Sequence, residues 1–358
     1  MMLPNLTLPV QKFPVYIIGA GGIVNDAHLP AYSKAGFNVA GIYDIDITKA
    51  KATAKKICIA DVFDSLQQLI EHADSDAVFD IALPASAYKQ VLPLLPRNAS
   101  VLIQKPMGET MADAIDILAI CREKNLNAGV NFQLRYAPFI MAARNIIDQG
   151  LIGTVCDIEV NVNVYMPWHL WTFLYQAPRV EILYHSIHYI DVIRTFLGNP
   201  KSVFAKTVKH PLMQELASVR SNIILDYGDY VRANIITNHC HRFGLQNQHA
   251  YLKIEGTKGA IKLQMGAVMN YPGAMPDTFE YIVVDENNQG VWQTISIEGS
   301  WFPDAFIGSM TQVMLAKEGT ISNPDNTVED ALVTMACVEA AYQANSTGGV
   351  DPMHFLLP

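Results

Sequence analysis

Several groups of residues in this sequence have types and spacings that could do chemistry. The first is Gly19-Ala20-Gly21-Gly22-Ile23-Val24, which directly follows the apolar run Val15-Tyr16-Ile17-Ile18 and opens a helical segment. Glycines at 19 and 21 permit a tight turn and let the backbone approach a pyrophosphate. Gly22 and Ile23 then stand at a helix start, whose free N–H groups and positive dipole end attract phosphate charge. A third glycine would serve close helix–strand packing at position 24, where this chain has Val24. Asp44 ends the second apolar run, twenty residues past Val24, where an acid binds the adenosine ribose hydroxyls. A carboxylate there repels a 2′-phosphate and favours NAD over NADP, while the nearby Lys49 leaves NADP open.

A second group is Gln104-Lys105-Pro106, after the run Val101-Leu102-Ile103. Ligands of open α/β sheets bind along the carboxyl edge that this run ends on, and a lysine there can stabilise a developing alkoxide or polarise a carbonyl. Further on, Met166-Pro167-Trp168-His169-Leu170-Trp171 places two tryptophans and a histidine in one loop. Aromatic faces suit the apolar C–H side of a sugar ring, and they equally suit core or interface packing. His185 and His188 then lie three apart on a helical segment, near one face. Histidine titrates near neutral pH and can move a hydroxyl proton. A metal reading of the pair needs a third ligand, for which Asp191 is the candidate, and no metal is expected.

The elements that must position these residues change character along the chain. From Phe13 to about Phe132, buried-strand runs (Val15–Ile18, Asn38–Tyr43, Ala77–Ile81, Val101–Ile103) alternate with helical spacing at Ile45–Ile57, Ser65–His72 and Thr110–Lys124. That alternation predicts a parallel sheet with crossover helices, whose strands read as continuous apolar runs because both faces are covered. After a helix predicted over Pro138–Gln149, the segment Val155–Tyr165 alternates Ile158, Val160, Val162 and Val164 with Asp157, Glu159, Asn161 and Asn163, a strand with one wet face. Turn signals at Tyr227–Tyr230, Gly256–Gly259 and Glu286–Gly290 predict hairpins, hence an antiparallel sheet. Helices predicted at Ile182–Leu197, Asp304–Ala316 and Val328–Asn345 are expected to cover its other face. The two domains are expected over 1–130 and 131–358, with no flexible linker between them.

Composition narrows the classes. A chain of 358 residues, half of them apolar and 16% charged, suits two ordinary domains with large cores. A net charge of −9 without a Lys/Arg-rich stretch argues against nucleic acid or an anionic membrane as partner. The five cysteines are scattered and lack CxxC spacing, which speaks against a disulfide framework or a zinc site and for a reducing compartment. Met1 to Lys12 holds two prolines and no signal-peptide pattern, and no apolar run reaches membrane-spanning length. The expectation is a soluble, cytoplasmic protein.

In this order and at these separations, Gly19-Ala20-Gly21-Gly22, His28-Leu29-Pro30, Asp44, Gln104-Lys105-Pro106 and Ile254-Glu255-Gly256-Thr257-Lys258-Gly259 resemble the glucose–fructose oxidoreductase / inositol dehydrogenase (Gfo/Idh/MocA) family, from Pro14 to about Gly349. The resemblance implies an α/β plus α+β fold: an N-terminal Rossmann domain, doubly wound, then a C-terminal domain with a large, mostly antiparallel, open-faced sheet backed by helices. It implies hydride transfer between NAD(P) and a sugar or polyol, and a homodimer or homotetramer formed through the second sheet. Non-catalytic sensors and NAD-dependent glycosidases occur among such relatives and stay open as alternatives. Lys105 matches the lysine of a Glu-Lys-Pro motif whose glutamate is replaced by Gln104. Leu83-Pro84 matches a segment lying against the cofactor, with Tyr88 where a histidine is common. His188 takes the place of the catalytic histidine, with His185 as the second candidate for the base. Tyr184 takes that of the acid before it, as a substrate hydrogen-bonder or as packing. Arg135 resembles an arginine near the substrate, as a ligand or as a structural ion-pair partner, and Trp168, His169 and Trp171 complete the expected substrate contacts.

Overall fold

A computed structural model of the chain describes residues 6–349. The outer ends of the two expected domains, and the first residues of the Met1 to Lys12 segment, lie outside the described residues. The described residues form two compact units, one of residues 6–149 and 296–335, the other of residues 150–295 and 336–349.

In the first unit the apolar runs form strands β1 (Pro14–Ile18), β2 (Asn38–Tyr43), β3 (Asp61–Val62), β4 (Val78–Ile81), β5 (Ser100–Gln104) and β6 (Asn127–Asn131). Among the described residues they make one parallel sheet in the order β3-β2-β1-β4-β5-β6. The order reverses between β1 and β4, the crevice where doubly wound sheets take their ligands. Helices α1 (Leu29–Ala35), α2 (Ile47–Ile57), α3 (Leu66–His72), α4 (Tyr88–Val91) and α5 (Met111–Glu123) make the connections, and α6 (Pro138–Asp148) follows β6. Local chemistry sets their ends. Asp46 caps α2 by accepting the Thr48 and Lys49 amides, Thr110 and Asp113 cap α5 reciprocally, and Pro138 occupies the first position of α6.

The second unit holds β7 (Val155–Asn163), α7 (Ile187–Leu197), β8 (Ser202–Val208), β9 (Arg220–Asp226), β10 (Arg232–Asn238), β11 (His249–Gly256), β12 (Gly259–Gln264), β13 (Thr278–Val283) and β14 (Gln293–Thr294). These strands form a second sheet in the order β14-β13-β12-β11-β7-β10-β9-β8. Every pairing is antiparallel except β7 with β10. The hairpin signals lie at the β9–β10, β11–β12 and β13–β14 turns, as expected. Period-two alternation buries Ile158, Val160 and Val162 on one face, against which α7 packs.

One expectation is corrected. The helix at α8 (Asp304–Glu318) does not cover the second sheet; it packs on β5, β6 and α1 of the first. Its Phe306, Met310, Val313 and Met314 join Val15, Ile17, Val24 and Tyr32 in one apolar core. Helix periodicity tells which side chains want burial and is silent on which sheet receives them. The last helix, α9 (Val328–Thr347), runs from one unit into the other, the division falling after Met335. Among the described residues no helix is long and apolar enough to cross a membrane.

Candidate active site

The glycine loop leaves β1 beside the end of β4. Gly19 has φ of +116°, and a Cβ there would lie 2.4 Å from the Ala82 carbonyl oxygen, so a side chain is excluded by conformation and by space. Gly21 differs: it is exposed, its φ is not positive, and no atom comes within 4 Å of the place its Cβ would take. Packing within the protein does not demand a glycine there, whereas a ligand phosphate approaching the backbone does. Gly22 and Ile23 begin a helical run whose next turn, Val24–His28, is π-helical before α1 continues it. Val24, in the place of a third glycine, is fully buried in that wider turn. Asn25 secures the loop by donating to the Ala20 and Gly21 carbonyls at 3.2 and 3.0 Å, and its own carbonyl accepts from Thr53 of α2 at 3.2 Å.

Asp44 lies just after β2 and faces this loop. Its Oδ2 accepts the Ala20 amide at 2.7 Å and its Oδ1 the Asp46 amide at 2.8 Å. A carboxylate oxygen has more than one lone pair, so both oxygens can still accept from ribose hydroxyls. Lys49, 3.8 Å from Asp46, is exposed. The open glycines, the helix start and the anchored carboxylate fit a dinucleotide.

At the end of β5, Gln104 is held at both of its polar ends. Tyr88, fully buried, puts its Oη 2.5 Å from the Gln104 carbonyl oxygen and 2.9 Å from that of Leu83, bridging the ends of β5 and β4. The Gln104 side-chain oxygen accepts from Asn131 at 2.7 Å. Asn131 Nδ2 lies 3.3 Å from His28 Nε2, and His28 Nδ1 lies 2.7 Å from Asp80, which also accepts from Tyr32 at 2.7 Å. All of these side chains are buried. Tyr88, expected among the cofactor contacts, therefore ties two strand ends together, and a continuous polar chain supports the residue before Lys105. Lys105 itself is half-buried, and loss of hydration lowers its ammonium from an ordinary 10.5 to about 8. Leu83 is half-buried and Pro84 exposed at the same sheet edge.

In the second unit a π-helical turn, Ile182–Ser186, precedes α7. It carries Tyr184 and His185, both half-buried, while His188 on α7 is 6% exposed. The His185 ring lies 5.0 Å from that of Trp168 and 4.6 Å from that of His239, centroid to centroid, and Trp168 stands edge-on to His239 at 5.7 Å. Behind them is Glu181, fully buried, whose Oε1 accepts from Ser186 at 2.8 Å and lies 3.2 Å from His239 Nε2. Burial alone pushes this carboxyl upward, but hydrogen bonds from His239, Ser221 and Ser186 outweigh it and hold the pKa below the usual range. The remaining expected residues are dispersed around this cluster. Tyr184 packs on Phe173, Trp171 on Tyr271, and His169 is exposed.

Of the two readings of Arg135, the structure displays the ion pair: buried in the first unit, it bonds Asp330 and, at 2.7 Å, the Asp325 carbonyl. Among the described residues no group of three or more His, Cys, Asp or Glu side chains is arranged to hold a metal ion. Sequence reading passed over Asn25, Asp80, Asn131, Glu181 and His239. Asp80 carried a signal, because an acid inside the continuously apolar Val78-Phe79-Asp80-Ile81 must find a buried partner.

Comparison with known proteins agrees with this geometry. Residues 13–132 match the model of an oxidoreductase family with an NAD-binding Rossmann fold, and residues 140–262 match the GFO/IDH/MocA C-terminal domain. The chain is 25% identical over 248 residues to a 1,5-anhydro-D-fructose reductase of Ensifer adhaerens, covering 68% of this chain and 74% of that one. It is 22% identical over 323 residues to the galactose/lactose metabolism regulatory protein GAL80 of Saccharomyces cerevisiae, covering 77% and 73%. In fold it is similar to an Agrobacterium radiobacter oxidoreductase solved with NAD+, L-tartaric acid and magnesium, with a TM-score of 0.78, 19% identity and coverage of 97% and 100%.

Proposed function

Since this chain belongs to the Gfo/Idh/MocA family of oxidoreductases, we propose that it moves a hydride between NAD(P) and a CH–OH group of a sugar, sugar derivative or polyol. The observation that carries the reading is the glycine loop with Asp44 turned onto it, an arrangement suited to a dinucleotide. Gly19, Gly21, Gly22, Ile23, Asp44, Leu83, Pro84, Gln104 and Lys105 would hold the cofactor, which supplies or accepts hydride when bound. NAD is the favoured form because the Asp44 carboxylate opposes a 2′-phosphate.

Lys105 would stabilise negative charge on the reacting oxygen, a task its lowered proton affinity and enclosure suit. The hydroxyl proton would pass to His188 or His185, both on one helical segment. In this reading 1–130 binds the cofactor and 131–358 the substrate and a further copy of the chain. The outward side chains Phe204, Ile224 and Ile236 of β8, β9 and β10, exposed by 59%, 50% and 38%, favour a homo-oligomer through that sheet.

The test is a panel of sugars, polyols and cyclitols followed by NADH absorbance, beside calorimetry of NAD and NADP on cofactor-stripped protein. Saturable, substrate-dependent absorbance is expected. A second reading, an NAD-binding regulator, is favoured by the likeness to GAL80 and by Gln104 and Tyr184 beside the two catalytic positions. Tight NAD uptake with no turnover across the panel would support it instead.

A further inference from the structure

Arg122, Arg135, Arg144, Arg179 and Arg232 each meet a carboxylate. Arg220 and Arg242 of the second unit are in no ion pair among the described residues, although acids outnumber Lys and Arg by 34 to 25. Arg220 opens β9 and is half-buried. Its Nη2 donates to the Lys209 carbonyl at 2.6 Å, while its Nε is sealed from water with no hydrogen-bond partner among the described residues. Arg242 is exposed beyond the end of β10, its guanidinium carbon 6.0 Å from the centroid of the Tyr165 ring. The pairing of Arg220 with Asn238 and the bridge between Tyr165 and Cys240 bring both arginines to one end of the second sheet.

Both guanidiniums act on His210. The His210 Nδ1 accepts the Leu212 amide at 3.1 Å, so the neutral ring carries its proton on Nε2 and donates from there. Loss of hydration lowers the pKa of this ring, and the charges of Arg220 and Arg242 lower it further. The same two charges reach the Cys240 thiol, which burial pushes up to about 11 and so keeps neutral. Lys209 turns its ammonium to the Gln214 carbonyl at 3.1 Å. Like charges thus converge on one imidazole, and each of the three side chains has a donor to offer.

We propose that Arg220, Arg242 and the Nε2–H of His210 form a binding site for an oxyanion, the phosphate or carboxylate of a small molecule. Guanidinium forks match the oxygens of either group, and the imidazole adds a further donor. The Tyr165 face steadies Arg242 from one side. An occupant would supply the partner that Arg220 Nε lacks and offset the repulsion between the two arginines. It would also favour the protonated His210 ring, so affinity should rise as pH falls through the His210 midpoint. The site goes beyond the hydride-transfer reading and requires neither cofactor nor turnover.

The experiment is a pH titration of the histidine ring protons of the full chain by NMR, with the His210 signal assigned by its loss in His210→Gln. Inorganic phosphate is compared with chloride at matched ionic strength, which separates binding from screening. Phosphate is expected to raise the His210 midpoint by about half a pH unit or more, saturating at about millimolar concentration. Most of that shift should vanish in Arg242→Gln and in Arg220→Gln. Should Arg220→Gln fail to fold, the exposed Arg242 decides alone. D-Glucose 6-phosphate or D-gluconate saturating below inorganic phosphate would assign the anion to a sugar, and equal saturation to the free ion. A midpoint that follows ionic strength alone overturns the proposal. So does one that changes with protein concentration and not with phosphate, since the arginines would then serve a second copy of the chain.

Discussion

Asp44 Oδ2 accepts the backbone amide of Ala20 at 2.7 Å, so the acid after β2 is fastened to the very loop whose ligand it is suited to share. Asp44→Ala is expected to weaken NAD binding by about 10-fold to 100-fold, since it removes both a ribose acceptor and the loop's anchor, each comparable to a charged hydrogen bond. The preference for NAD over NADP should narrow in the same variant. Isothermal calorimetry with each nucleotide is the check, and equal affinities before and after the change would take Asp44 out of the site.

Gly19 and Gly21 separate the needs of the fold from those of a ligand. Gly19→Ala puts a Cβ against the Ala82 carbonyl at a φ that side chains avoid, and is expected to cost roughly 2–4 kcal/mol of stability. Gly21→Ala meets open space and should stay within about 0.5 kcal/mol of the parent in a thermal or urea melt. Its NAD affinity should nevertheless fall by about tenfold or more, because the added methyl stands where a phosphate would approach.

Lys105 makes a pH-dependent prediction. Burial lowers its folded pKa to about 8 from 10.5, so between those values the unfolded chain binds more protons than the folded one. The sign of this term is that stability rises with pH across that window, and Lys105→Met should abolish the rise. If the charged form aids turnover, the rate should decline as pH climbs through about 8, and Lys105→Met should lose roughly 100-fold to 10000-fold of kcat. Paired melting curves and rate profiles from pH 6 to about 10.5 would reveal both.

Asp80 is the most costly residue to remove in the first unit's polar chain. It serves His28 and Tyr32 at 2.7 Å each, all fully buried. Asp80→Ala removes the shared acceptor of two buried groups, leaving them only their 3.4 Å contact with each other, and is expected to destabilise by about 3–5 kcal/mol. Tyr32→Phe, which removes one donor, should cost about 1 kcal/mol. Denaturant melts would show the contrast.

The parallel sheet was legible from the mostly apolar runs that became β1, β2, β4 and β5, whereas the two-residue β3 (Asp61–Val62) and the Asn-flanked β6 (Asn127–Asn131) carried no such run. The hairpins were legible from Gly256 and Gly259 and the like. What could not be read was partnership across distance. The spacing of His185 and His188 put them on one face of an ordinary helix, but the π turn at 182–186 changes the residue count per turn and sends His185 to Trp168 and His239. His239 follows the end of β10, 54 residues after His185, and Glu181 reads as one acid in an apolar helix start. Tyr88 is expected beside the cofactor from its place in the resemblance, and only the structure reveals that its hydroxyl also reaches the Leu83 and Gln104 carbonyls.

The placement of α8 has a consequence for how the molecule is made. Phe306, Met310, Val313 and Met314 complete the apolar interior around β1, yet they are synthesised more than 280 residues after Ile17. During translation the early strands must wait, partly uncovered, until almost the entire chain has emerged. A fragment ending at Gln149 would carry the nucleotide loop but an unfinished interior, and should aggregate or recruit chaperones, while adding residues 296–335 in trans should rescue it.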